Sequence, residues 1–401
     1  MSRSILICGV LPLYLFCACS SGSLNTPSDD PNDYQVDTSI EYTIEIGEAR
    51  WVVPSALLPE EITPSASNNN VDIIFHQGHL YMAWRSAPTH FASSETIMWV
   101  MSSNDMGATW DFETKIHIGA DMREPRFLSF NKKLQLFFFE GGTDPLAFEP
   151  KAFWHCAQKK RGAWQEPQIF INEGEIPWDI KVRYGKAYMT SYAGALYTSE
   201  QEPYVEIFFK ESEDGESFQN VEDTAFVHAG GSSEAAFEFD SDGSLWAVLR
   251  NQEGDETGKG SHLCYAPAEN LSQWDCGDTA DPNRYDSPEL FRHGDDIYLV
   301  ARRDIDGVYG DDESQLPYSL RAKTSAIYKI NKMERRIEHL QDLPGAGDTA
   351  FPSVRRTGTH TFLLANYTSP LDEPDISWVE AQTSSLGTQL YLLDIEFVAG
   401  N

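Results

Sequence analysis

The chain has 401 residues, 12 % of them aromatic, and a formal net charge of −32. That length exceeds an ordinary domain but suits one closed, repeating sheet. So acidic a chain argues against nucleic acid as a partner, because a phosphate backbone needs a basic footprint.

Residues 1–18 read as a secretion signal, with Arg3 as the positive start and an apolar run too short to span a bilayer. Leu15-Phe-Cys-Ala-Cys19 is similar to a bacterial lipobox, which makes Cys19 the expected lipidated first residue of a cell-envelope lipoprotein. Phe16 and Cys17 depart from that pattern, so an ordinary cleaved signal is the alternative. Residues 19–40 read as the lipidated N-terminus and a flexible tether, because Ser, Asp, Pro and Asn build no core.

From residue 41 onward a short strand recurs six times, each copy following a turn. The copies are residues 78–85, 131–139, 185–192, 243–250, 294–302 and 358–367. Each is preceded by another short apolar strand, and spacings of roughly 50–65 residues suit one four-stranded blade per copy. The predicted fold of 41–401 is an all-β, six-bladed β-propeller with four-stranded antiparallel blades. Residues 332–340 are the one helix-like stretch. Cys264 and Cys276 flank a loop between strands, a spacing that permits a disulfide, and Cys156 reads as a buried free thiol. The cysteines lack zinc-ligand spacing, and neither a metal nor a cofactor is expected. The acidic run 304–313 has two readings, a calcium loop or a solvated loop, and lacks the ligand register of a known calcium motif.

Ser103-Asn-Asp-Met-Gly-Ala-Thr-Trp110 matches the Asp-box pattern Ser-x-Asp-x-Gly-x-x-Trp, and Ser212-Glu-Asp-Gly-Glu-Ser-Phe218 is a contracted version. With Asp121-Met-Arg-Glu-Pro-Arg126, residues 233–250, Ser287-Pro-Glu-Leu290 and residues 343–352, these segments resemble the sialidase (neuraminidase) superfamily. The likeness extends over the chain from about Glu41 and is greatest to an exo-sialidase-like bacterial branch. It implies a glycoside hydrolase fold whose Asp-boxes (BNR repeats) mark structure rather than chemistry.

Hairpin topology locates the expected pocket. The residue opening the first strand and the residue closing the second share one end of the blade. Arg123-Glu124, Trp178 and Glu234 are openers; Arg85, Tyr192, Arg250, Arg302 and Tyr367 are closers. Arg85, Arg123, Arg250 and Arg302 are expected to bind substrate, since a guanidinium fork matches a carboxylate or sugar hydroxyls, with Trp178 and Tyr192 beside them. The alternative is that each arginine closes its strand by pairing with a neighbouring acid. In the resemblance, Glu234 and Arg250 fall at the sialidase Glu and second clasping Arg, with Arg302 as third. The Arg-Ile-Pro motif and the acid/base Asp have no counterpart, and Phe351 stands where the nucleophilic Tyr is expected. His90, Asp121, Glu124 and Tyr367 are the remaining catalytic candidates, His90 being open to a bland reading as a loop histidine.

The expectation is therefore a monomeric, exported glycan-active protein. It would be an exo-glycosidase on an acidic or polyhydroxylated glycan, touching the membrane only through its lipid. A non-catalytic, lectin-like propeller is the alternative.

Overall fold

The computed structural model describes residues 26–147, 149–171, 174–195, 204–311 and 315–400, so the expected secretion signal and Cys19 lie outside the described residues. Six antiparallel sheets form a six-bladed propeller. Blade 1 holds Ser67–His76, His79–Ala87, Ile97–Ser103 and Asp111–Ile116. The innermost strands of the next blades are Met122–Phe130, Ile176–Arg183, Ser233–Phe239, Glu289–His293 and Ser353–Arg356. Each pairs with the following strand in a tight hairpin. The second strands are near-continuous apolar runs because they are packed on both faces by the adjoining blades. Leu80, Met82 and Trp84 in blade 1 and Leu363, Leu364 and Ala365 in blade 6 are all at 0 % exposure.

Closure is made by the N-terminal strands. Tyr42–Ile46 and Arg50–Val53 both pair with Gln389–Ala399, the third strand of blade 6. The last blade is thereby completed from the other end of the chain, which leaves no open seam.

Three local expectations are corrected. Blade 4 has three strands, not four, ending with Gly258–Ala266. Its outer edge is a loop that makes isolated β-bridges to the sheet at Tyr265–Asp275 and Ser261–Asp281. Residues 332–340 are not helical, since Arg336–Leu343 pairs with Lys323–Asn331 across a turn containing Arg335 at φ 50°. Cross-strand pairing outweighs a weak helical periodicity. The expected tether is packed from Thr26 onward across the hairpin-turn face. Arg183 donates to the Asp29 carbonyl at 2.8 Å, and Arg356 lies 4.7 Å over the Tyr34 ring. A cavity of about 390 Å³ sits beneath this segment, at the mouth opposite the side-chain cluster described below.

Cys264 and Cys276, 12 residues apart, are joined by a disulfide, and Cys156 is a buried free cysteine. The bridge ties the loop that replaces the fourth strand of blade 4. Changing both cysteines to Ser is expected to lower stability by about 3 kcal/mol through the freed loop, measurable as a lower denaturant midpoint with an unchanged fold.

Candidate active site

The inner strands share a distortion at the end away from the hairpin turns. Asn70, Glu124, Glu234 and Ser287 have φ of 46°, 55°, 49° and 53°. The ladders slip at Asn69/Val71, Arg123/Arg126 and Ser233/Ala235. Such bulges break the in-out alternation and re-aim a side chain. Left-handed backbone is tolerated by Asn but strained in Glu, at about 1–3 kcal/mol per residue. Blade packing holds that strain where the sheet opens.

Above the bulges lie two linked ionic networks. In the first, Asp121 is fully buried; its Oδ1 accepts from Arg85 Nε and Thr96 Oγ1, each at 2.7 Å, and its Oδ2 from Arg123 Nε at 2.5 Å. Arg123 also donates to the His90 carbonyl at 2.7 Å. His90 Nδ1 lies 2.7 Å from Asp348 Oδ2, and Tyr367 donates to Asp348 Oδ1 at 3.0 Å. In the second network Asp286, also fully buried, accepts from Arg284 Nε at 2.6 Å and Arg302 Nη1 at 2.8 Å, and from Tyr318. Arg250 Nη1 is 3.7 Å from Asp286 and 2.5 Å from Glu234 Oε1. The Ser287 N–H donates to Glu234 Oε2 at 2.8 Å. Arg302 joins the networks by donating to the carbonyl of Thr349, next to Asp348.

These contacts set the protonation states. Burial raises the Asp286 carboxyl, but Arg284, Arg302 and Arg250 outweigh it and hold it well below the usual range. Arg123 and Arg85 likewise overcome the burial of Asp121. Burial pushes His90 down against the pull of Asp348. Its Nδ1–H then donates to Asp348, and Nε2 accepts from Gln382, 3.1 Å away. Burial and Asp348 push the Tyr367 phenol up. Glu124 differs from the other acids. Burial first, and Glu234 next, push its carboxyl to about 8, and its buried Oε2 has no hydrogen-bond partner. Burial also raises Glu234 against the opposing pull of Arg250. Glu124 is thus held toward its neutral form at pH 7, with burial and the Glu234 charge outweighing the pull of Arg126, Arg250 and Arg123.

No protein-family model matches the chain, and no curated protein matches its sequence. Solved structures do match. A protein of unknown function from Dyadobacter fermentans aligns with 88 % of this chain and 99 % of its own, at 12 % identity and TM-score 0.60. Phage phi92 endosialidase aligns over 92 % and 71 %, at 10 % identity and TM-score 0.58. The NanB sialidase of Streptococcus pneumoniae aligns over 86 % and 70 %, at 10 % identity and TM-score 0.54. The likeness is one of fold.

On that fold, Arg85, Arg123, Glu124, Glu234, Arg250 and Arg302 lie at the end of the blades away from the hairpin turns, with His90 and Tyr367, in settings that differ from those expected. Arg85 is at 0 % exposure, and its donors go to Asp121, Asn69 and the carbonyls of Thr89 and Phe91, so it braces the loop and does not face a ligand. Asp121 is an ionised bridge with both oxygens occupied, which removes it as a general acid. Tyr367 is a neutral donor to Asp348 rather than an activated nucleophile. Trp178 and Tyr192, expected beside the substrate, are 1 % and 2 % exposed core residues. Trp178 donates to the Pro288 carbonyl and packs on Phe351, with Arg126 over the Phe351 ring at 4.3 Å. Arg123 and His90 are the more open members, with side chains 19 % and 18 % exposed.

Sequence reasoning missed Asp286, Asp348, Arg284, Tyr318 and Gln382. Asp286 stands one residue before Ser287 and Asp348 three before Phe351, the residues that open the inner hairpins of blades 5 and 6, so extending the opener rule upstream would have reached both. Nothing local marks the others. In the acidic run, Asp304 is paired with Arg321 and Lys323, and residues 312–314 lie outside the described residues.

Proposed function

We propose that the protein is a glycan-active propeller, an exo-glycosidase for an acidic or polyhydroxylated glycan. Glu124 is its general acid and Glu234 the partner carboxylate. The observation that carries this reading is the contrast between those two side chains. Glu124 is held protonated with an unpartnered oxygen, whereas Glu234 has an arginine and a backbone N–H on its oxygens. Two carboxyls whose environments separate their roles are what glycosidic cleavage requires, one to protonate the leaving oxygen and one to serve the anomeric centre. Arg123, the most exposed arginine of the cluster, is the first contact for a ligand carboxylate or hydroxyl. His90, ordered by Asp348, offers a second proton-transfer group at the rim. The secretion-signal-like residues 1–18 and the lipobox-like segment Leu15–Cys19 support placement in the bacterial cell envelope, anchored through Cys19. Cys19→Ser is the corresponding test, with release from the membrane fraction expected.

A lectin-like reading is favoured by one observation. Phe351 has no hydroxyl and is buried against Trp178, and the nearby Tyr367 phenol is engaged as a donor. A panel of fluorogenic glycosides and natural acidic glycans decides between the two. Turnover by wild type that falls at least about 100-fold in Glu234→Gln supports the enzyme. Saturable binding without wild-type turnover, weakened in Arg123→Ala by about ten- to a hundredfold, supports the lectin. Neither turnover nor binding across the panel overturns both.

A further inference from the structure

Away from the channel mouth, three ligand-type side chains meet where blade 3 abuts blade 4. His228 begins the edge strand His228–Gly230 of blade 3. Asp255 ends the strand Leu245–Asp255 of blade 4, and His262 lies in its partner, Gly258–Ala266. One donor atom from each lies within 4.8 Å of the other two. His262 Nε2 is 2.8 Å from Asp255 Oδ2, and the imidazole centroids are 5.1 Å apart. A Cβ added to Gly230 would sit 3.2 Å from Asp255 Oδ2 and 3.7 Å from His228 Nε2, so those two atoms border the same spot.

Two features separate this cluster from an ordinary Asp–His pair. The first is that His228 Nε2, which borders the same spot as Asp255 Oδ2, is buried without a hydrogen-bond partner, while His262, whose Nε2 faces Asp255, is only 1 % exposed. Buried polar atoms of folded proteins are nearly always satisfied, and unmodelled ions are a recognised reason for exceptions. Asp255 is also oriented from behind. Its Oδ1 accepts from the Thr257 N–H at 2.9 Å and the Thr257 hydroxyl at 2.6 Å, leaving Oδ2 to the histidines. Outer partners of this kind fix a ligating carboxylate.

We propose that His228, Asp255 and His262 bind one divalent transition-metal ion of the zinc class. Two imidazoles and one carboxylate suit that class, whereas calcium and magnesium take oxygen sets. Three protein ligands leave the fourth position to water. The ion would clamp the edge of blade 3 to the tip of the blade 4 hairpin. That tip carries Gln252, whose side-chain oxygen accepts from Arg284 at 2.6 Å and whose carbonyl accepts from Tyr309 at 2.8 Å. Arg284 in turn holds Asp286, so the metal stabilises one wall of the candidate site without touching it. This inference does not depend on the proposed activity.

The test uses the untagged chain, stripped with chelator and titrated with Zn2+ by calorimetry and with Co2+ by visible absorption. One equivalent of each is expected, Co2+ giving the spectrum of a four-coordinate site, together with a raised melting temperature in Zn2+. His228→Gln, on a part-exposed edge strand, is expected to fold and to bind Zn2+ more than about 100-fold more weakly, beyond the loss of an outer-shell partner. His262→Gln should behave alike, and if it fails to fold, His228→Gln decides alone. Wild type that takes up no stoichiometric Zn2+ or Co2+ overturns the site, as does His228→Gln binding as tightly as wild type. Preference for Ca2+ over Zn2+ overturns the assigned class.

Discussion

Glu124→Gln is expected to stabilise the protein above about pH 6 while removing its turnover. The Glu124 carboxyl is raised from 4.5 to about 8. Between those values the unfolded chain has released the proton and the folded chain keeps it. Stability therefore falls as pH rises through this window and is fullest below its lower end. At 1.36 kcal/mol per pH unit, the loss reaches on the order of 4 kcal/mol by pH 8. Gln has the shape of the protonated acid and cannot ionise, so the variant lacks this slope. Glu289, pushed by burial to about 7, contributes with the same sign in both proteins, and the difference between their curves isolates Glu124. Denaturant midpoints measured from pH 4 to 9 test this. Parallel curves for wild type and variant would show that Glu124 is not held protonated. The same substitution removes the transferable proton, at a cost of about 10²–10⁴ in rate if Glu124 is the general acid. A gain in stability with a loss of activity distinguishes a strained functional residue from a structural one.

Asp286→Ala is expected to act in the opposite direction, lowering stability by about 3–5 kcal/mol. Asp286 is the counter-charge of Arg284 and Arg302, lies 3.7 Å from Arg250 and accepts from Tyr318, all at or near full burial. Its removal leaves three guanidinium groups facing one another with little water to screen them. The contrast is Lys133–Glu216, whose side chains are 52 % and 53 % exposed. Breaking that pair should cost less than about 1 kcal/mol. Formate, a free carboxylate small enough for the vacated space, is expected to restore part of the loss in Asp286→Ala and to leave wild type unchanged. An Asp286→Ala midpoint within about 1 kcal/mol of wild type would rule out the hub role assigned to Asp286.

The number of blades was legible in the chain because each inner hairpin is local. An apolar strand, a turn and a second apolar strand lie within some 20 residues, and six repeats at regular spacing leave little choice of architecture. The ends of those hairpins were legible for the same reason, which is why Arg123, Glu124, Glu234, Arg250 and Arg302 could be placed at one end of the blades. The outer edges were less so. Blade 4 ends in a loop, and residues 336–343 became a strand, because an edge is settled by whichever segment pairs there. The partners of these charged side chains were decided by tertiary structure alone. Whether an arginine faces solvent or is spent on an acid depends on partners far away in the chain. Asp121 meets Arg85 across 36 residues, and Asp348 meets His90 across 258. Glu124 and Glu234 are the same residue type in the same bulged position. What distinguishes their surroundings is the arginine paired with a Glu234 oxygen and the Glu124 oxygen without a hydrogen-bond partner.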